Sequence, residues 1–130
     1  MSFQPNASFD FSNAVVVITG AAAGIGRQAA EQFAAAGATL VLLDRSESIA
    51  DVASSLGAPH TGWVADISDA ESVTAAANEI LSLFGHVDIL VNNAGAIPGG
   101  SLDDVDEAAW RAGWDLKVFG YVGLTRLAAD

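Results

Sequence analysis

An apolar, β-branched run that leads directly into a small-residue loop constrains the fold of this chain most strongly. The run is Val15–Thr19, and the following loop, Gly20–Gly26, contains only glycine and alanine apart from Ile25. A continuous apolar run predicts a strand that is covered on both faces. The bare loop would let the backbone approach a phosphate, and a helix starting at Gly24 would direct its N–H groups toward that phosphate. Taken alone, the motif is also compatible with a tight strand–helix turn that binds nothing.

The rest of the chain alternates short apolar runs with helical periods, which predicts the order β-α-β-α-β-α-β-α. The later strands are predicted at Leu40–Leu43, Gly62–Ala65 and Val87–Val91. Parallel strands joined by right-handed crossovers give an α/β fold with a doubly wound sheet. We expect this sheet to be of the Rossmann type, with the strand order 3-2-1-4. Ligands of such sheets bind at the carboxyl ends of the strands.

Capping residues and glycines set the predicted helix boundaries. The first helix, residues 24–36, is expected to turn Ile25, Ala29 and Phe33 to one side. The predicted N-terminal capping residues of the later helices are Ser46, Ser68 with Glu71, and Asp104 with Glu107. The last helix is expected to run toward Asp130.

The composition excludes several classes of function. Five basic against 16 acidic residues give a net charge of −11, which disfavours nucleic acids and anionic membrane surfaces. There is no cysteine, and His60 and His86 lie far apart in the sequence, so no metal site is predicted. No signal peptide or membrane-spanning stretch is visible, and we expect a cytoplasmic protein. The phosphates of any bound cofactor must then be held by backbone N–H groups.

Polar residues follow the second and third predicted strands at the ligand-binding edge. Asp44 stands 18 residues after Gly26 (44 − 26). A carboxylate there can accept hydrogen bonds from ribose hydroxyls and repel a 2′-phosphate, which predicts NAD rather than NADP. The alternatives are that Asp44 only caps the next turn, or that Arg45 holds a 2′-phosphate. Asp66 and Ile67 could contact adenine.

The segment Asn92-Asn93-Ala94-Gly95 follows the fourth strand. Together with Thr19–Gly26, which has the pattern T-G-x-x-x-G-x-G, it resembles the short-chain dehydrogenase/reductase family. Asp66-Ile67 and Asp88–Val91 also stand where that family has them, so the resemblance covers roughly Phe11 to Ala129.

This resemblance implies an NAD-dependent oxidoreductase, with NADP less favoured, that transfers hydride between the cofactor and a small alcohol or carbonyl substrate. It implies a homo-oligomer, an N-terminal tail over residues 1–13 and an NAD-binding domain over residues 14–130. Asn93 is expected to be structural. The implied cofactor-binding residues are Gly20, Ala22, Gly24, Ile25 and Gly26 at the pyrophosphate, Asp44 and Arg45 at the adenosine ribose, Asp66 and Ile67 at adenine, and Asn92, Ala94 and Gly95 at the ribose side and the central sheet.

The chain departs from the family pattern in two ways. The family's catalytic Ser and Tyr-x-x-x-Lys pair normally lie beyond its end, so the resemblance implies a fold truncated before the catalytic half. Its single tyrosine, Tyr121, follows its single lysine, Lys117, in the reverse order. Lys117 also stands where the family has an Asn that belongs to a proton relay, and it either joins that relay or is an ordinary helix lysine.

Two other functions stay open from the sequence. The chain could be an inactive nucleotide-binding fragment or interaction module. It could also be an S-adenosylmethionine methyltransferase, although the segment Asn92–Gly95 argues against that class.

Overall fold

The computed structural model describes residues 8–95 and 100–129. One parallel sheet contains the four strands β1 Val15–Thr19, β2 Thr39–Asp44, β3 Thr61–Val64 and β4 Ile89–Val91. Their order is β3-β2-β1-β4, so the predicted α/β class and strand order are confirmed. The helices are α1 Gly24–Ala35, α2 Ile49–Leu56, α3 Ala70–Phe84, α4 Glu107–Trp114 and α5 Tyr121–Ala129, with a π-helical turn at Asp115–Gly120 between α4 and α5.

The two central strands alternate their side chains between two apolar cores. Val15, Val17, Val41 and Leu43 pack with α3 and α5 on one face. Val16, Ile18, Leu40 and Leu42 pack with α1 and α2 on the other. All five residues of β1 are buried, as the continuous apolar run predicts.

The fourth strand is shorter than predicted, because the chain before Ile89 is tied to β1 by a side chain. The carboxylate of Asp88 accepts the N–H of Val15 at 2.7 Å, and the N–H of Asp88 donates to the Val15 carbonyl at 2.9 Å. Val87 and Asp88 therefore precede the strand instead of belonging to it.

The predicted cap Ser46 lies in the turn that leads into α2, where its hydroxyl accepts the N–H of Ser48 at 3.3 Å. Ser48 directly precedes the helix and makes no side-chain cap hydrogen bond. The predicted cap Ser68 is wrong. Asp69 caps α3 by accepting the N–H of Glu71 at 3.2 Å, whereas the hydroxyl of Ser68 donates to Asp66 at 2.6 Å. A hydrogen bond to a carboxylate is stronger than one to a neutral group, and this accounts for the withdrawal of Ser68 from the helix start.

The last helix differs most from its prediction. Asp106 caps α4 by accepting the N–H of Ala109 at 2.8 Å, while the carboxylate of Asp104 accepts the N–H and hydroxyl of Ser101. The π-helical turn then interrupts the helix. It ends at Gly120, where an added Cβ would collide with the carbonyl oxygen of Ile67. This close approach of the helix to the segment after β3 is a tertiary contact that the local pattern does not show.

Within the two described ranges, no helix combines the length and the apolar character needed to cross a bilayer.

Candidate functional site

A groove of about 560 Å³ opens at the carboxyl ends of the four strands, and we call it the strand-end groove. Its volume is in the range of small-molecule and cofactor sites. It brings together seven of the residues selected from the sequence: Gly20, Asp44, Arg45, Asp66, Ile67, Ala94 and Gly95. The other five selected residues do not line the groove but lie in the same chain segments as residues that do. They are Ala22, Gly24, Ile25, Gly26 and Asn92.

The loop after β1 is packed so closely that two positions accept only glycine. A Cβ on Gly20 would lie 2.8 Å from the Cα of Ala94, and Gly20 has a φ of +67°. A Cβ on Gly26 would collide with the Gly20 carbonyl oxygen and would lie 2.5 Å from Nδ2 of Asn93. Gly24 has a φ of +59° with open space around it, so the turn geometry and not crowding favours glycine there.

The N-terminus of α1 faces this groove without a side-chain cap. Ala23 is the capping residue, lines the groove and makes no side-chain hydrogen bond to the helix. The first N–H groups of a helix lack partners within the helix, and they attract anions when no side chain covers them. Ile25 is 81% exposed, whereas Ala29 and Phe33, which were predicted to share its side of the helix, pack against the core. The fully buried positions of α1 are Gly26 and Ala30.

Asp44 joins the loop after β1 to the loop after β2. One of its carboxylate oxygens accepts the N–H of Ala22 at 3.0 Å, and the other accepts the N–H of Ser46 at 2.9 Å. The side chain is half-buried at the edge of the groove. Each carboxylate oxygen has a second lone pair, so the oriented group can still accept hydrogen bonds from a ligand.

Asp66 is the second carboxylate of the groove. A hydrogen bond from the Ser68 hydroxyl holds its pKa below the usual value, and the Ser68 N–H and the charge of Arg45 act in the same direction against desolvation. The side chain is therefore a carboxylate at neutral pH. Ile67, the next residue, is buried and lines the same end of the groove.

The hydroxyl of Thr19 fixes the Asn92–Gly95 turn to the end of β1. It accepts the N–H groups of Asn93 and Ala94, each at 3.0 Å, and donates to the Val91 carbonyl at 3.4 Å. Thr19 is fully buried and was not selected as a site residue from the sequence. A polar residue at the end of an otherwise apolar strand is the signal that could have identified it. The side-chain amide of Asn93 donates to the Gly20 carbonyl at 3.2 Å, which is the structural role expected for it.

The helical segment after α4 holds the same turn from the other side. The Tyr121 hydroxyl donates to the carbonyl oxygen of Ala94, and the amide of Asn92 donates to the Thr125 hydroxyl at 3.1 Å. The proton of the tyrosine is thus engaged with a backbone carbonyl. Tyr121 serves to position the turn.

Lys117 lies on the same helical stripe, four residues before Tyr121. Its stem crosses Gly95, where an added Cβ would lie 2.9 Å from Cε and 3.1 Å from Nζ. Its ammonium lies 5.7 Å from the centre of the Tyr121 ring, within the range of a cation–π contact. Lys117 does not itself line the groove, but it lies against Gly95, which lines the groove beyond β4.

One wall of the groove was missed in the sequence. It consists of Ala109, Ala112 and Gly113 of α4 and Leu116 of the π-helical turn. Small residues at helical spacing are the available signal, because they let a ligand or a backbone lie against the helix.

The histidines have structural partners. Nδ1 of His60 accepts the N–H of Leu40 at 3.1 Å, and burial lowers the pKa of this imidazole. Nε2 of His86 lies 3.0 Å from the carboxylate of Asp88. In the part of the chain that the structure describes, no three His, Asp or Glu side chains converge as a metal site.

Known proteins that resemble this chain in sequence belong to one family. The sequence model described as short chain dehydrogenase matches residues 14–130. The chain belongs to this family. Dehydrogenase/reductase SDR family member 7B of Xenopus tropicalis is 44% identical over 125 residues, which cover 88% of this chain and 40% of that relative. The chain thus spans less than half the length of the curated relatives that it matches.

Solved structures of the family share the fold. L-sorbose reductase from Gluconobacter frateurii, complexed with NADPH and L-sorbose, has a TM-score of 0.89 at 34% identity and covers 95% of this chain and 49% of that one. A short-chain dehydrogenase/reductase from Burkholderia phymatum in complex with NAD has a TM-score of 0.86 at 38% identity, covering 93% and 44%. The predicted family and its Rossmann-type sheet are confirmed.

Proposed function

We propose that this chain forms the dinucleotide-binding part of an NAD-dependent oxidoreductase that transfers hydride between the cofactor and a small alcohol or carbonyl compound. The observation that carries the proposal is the closely packed loop from Gly20 to Gly26, which we call the glycine cradle, beside the uncapped N-terminus of α1. A Cβ at Gly20 or Gly26 would collide with neighbouring protein atoms, so glycine at these positions keeps the loop closely packed. The start of α1 then stands at the groove with no side chain covering its N–H groups, which supports an anionic ligand there. Backbone N–H groups at this position can bind an anion even though the net charge of the chain is −11.

The strand order supports a direction for the dinucleotide across the sheet. The ends of β2 and β3 would receive adenosine, with Asp44 on the ribose hydroxyls, Arg45 beside it, and Asp66 and Ile67 at adenine. The loop from Gly20 to Gly26 lies centrally, after β1, and would receive the pyrophosphate, with Ala22, Gly24 and Ile25 as part of it. The Asn92–Gly95 turn after β4 then remains for the nicotinamide half.

The bound cofactor would supply the hydride chemistry, and the residues of this chain would bind and orient it. The Ala22 N–H holds the Asp44 carboxylate toward the ribose position. Thr19, Tyr121 and Thr125 fix the Asn92–Gly95 turn. Proton transfer is not assigned to this chain, because its single tyrosine binds a backbone carbonyl. Among the structural relatives, the L-sorbose reductase is named for a carbonyl substrate, which supports the proposed substrate class.

Substitution of Asp44 tests the choice of cofactor. We expect the unmodified chain to bind NAD more tightly than NADP, because the carboxylate faces the 2′ position. Asp44→Asn should shift the affinity ratio toward NADP by about 10-fold or more, the effect of removing one close charge pair at a protein surface. Calorimetric titration with both cofactors measures the ratio.

Glu79→Gln is the matched control, since it removes one exposed carboxylate of α3 that does not line the groove. It should leave the ratio unchanged. Equal or tighter binding of NADP by the unmodified chain would show that Arg45, and not Asp44, contacts the ribose. Binding of neither dinucleotide would contradict the proposed function itself.

A further inference from the structure

We propose that Lys117 places a positive charge at the nicotinamide end of the strand-end groove and thereby favours the reduced cofactor over the oxidised one. This inference rests on the proposed function, because it needs a dinucleotide in the groove. It concerns the difference in affinity between two redox states of one ligand.

The position of Lys117 is fixed by the backbone around it. The residue lies inside the π-helical turn Asp115–Gly120, and such turns are frequent at functional sites. Its stem lies across Gly95, which has no side chain to displace it and which lines the groove beyond β4. This is the end of the groove opposite the carboxylates of Asp44 and Asp66, since β1 separates β4 from β2 and β3.

The charge of Lys117 is not neutralised by a salt bridge within the described ranges. Arg27 and Arg111 are paired with Glu31 and Glu107, each one helical turn away. The Lys117 ammonium instead lies over the Tyr121 ring, a contact that favours a cation without cancelling its charge. Its field therefore acts on whatever occupies this end of the groove.

The two redox states of the cofactor differ in charge at the nicotinamide ring. The oxidised ring carries one positive charge and the reduced ring is neutral, whereas the phosphates and adenosine are the same in both. A nearby fixed cation thus penalises only the oxidised state. A like-charge pair at the surface of a groove changes affinity by about 3- to 20-fold, depending on separation and screening.

The test measures the dissociation constants of NAD and NADH separately for the unmodified chain and for three variants. Lys117→Met removes the charge and keeps an unbranched stem to lie over Gly95. Lys117→Arg keeps the charge. Arg126→Met removes a cation from α5 that lines a separate cavity beside Phe119. Thermal melts establish that each variant is folded.

We expect the preference for NADH to fall about 3- to 20-fold in Lys117→Met and to persist in Lys117→Arg and Arg126→Met. An unchanged preference in Lys117→Met, or an equal fall in Arg126→Met, would overturn the role of Lys117 while leaving the proposed function intact. Failure of the unmodified chain to bind either redox state would overturn both.

Discussion

Gly26→Ala is expected to abolish dinucleotide binding and to lower the free energy of unfolding by about 2–3 kcal/mol, the cost of overpacking a rigid site. The added methyl group would collide with the Gly20 carbonyl oxygen and approach Asn93 Nδ2. The loop cannot retreat, because Gly20 itself packs against the backbone of Ala94. Relief of the clash must therefore displace the loop that would hold the pyrophosphate.

Gly85→Ala is the control for the Gly26 variant. Gly85 ends α3 with a φ of +78° and has no atom within 4 Å of an added Cβ. Its substitution should cost about 1–2 kcal/mol of backbone strain and leave NAD binding unchanged. Urea denaturation and NAD titration of both variants, under conditions in which each is folded, separate the two effects. Normal NAD affinity of Gly26→Ala would contradict the proposed cradle.

Thr19→Val is expected to destabilise the chain by about 2–4 kcal/mol, because two partly buried backbone N–H groups would lose their acceptor. The hydroxyl serves Asn93 and Ala94 together, and valine has the shape of threonine without that oxygen. Thr19→Ser retains the hydroxyl and loses only a buried methyl group, at a cost of about 1 kcal/mol. Equal denaturation midpoints for the Val and Ser variants would show that the hydroxyl does not hold the turn.

The architecture could be predicted because it depends on patterns that are local in the sequence. β-branched runs such as Val15–Thr19 identify the strands, and the Rossmann-type arrangement expected for this pattern supplies their order. Parallel strands place their carboxyl ends at one edge, which brings Asp44, Asp66 and Gly95 to one groove. These residues are far apart in the sequence, and the arrangement of the parallel strands brings them together.

The parts that could not be predicted depend on competition between neighbours or on tertiary contacts. The sequence pattern favours Ser68 as a helix cap, but its hydroxyl donates a hydrogen bond to the Asp66 carboxylate instead. The π-helical turn accompanies the close approach of Gly120 to Ile67, a residue 53 positions earlier (120 − 67). No periodicity of the last helix indicates that contact. The same segment places Lys117 against Gly95, a contact that the position of Lys117 in the sequence does not indicate.

The measurement that tests the central claim most directly is a titration of the isotope-labelled chain with NAD, followed residue by residue through amide chemical shifts. The account predicts saturable shifts in the loop from Gly20 to Gly26, at Asp44, at Asp66 and in the Asn92–Gly95 turn. Residues that line the neighbouring cavity but not the groove, such as Thr74, Phe119 and Arg126, should stay unchanged. Shifts confined to that cavity, or no shift at millimolar NAD, would contradict dinucleotide binding in the strand-end groove.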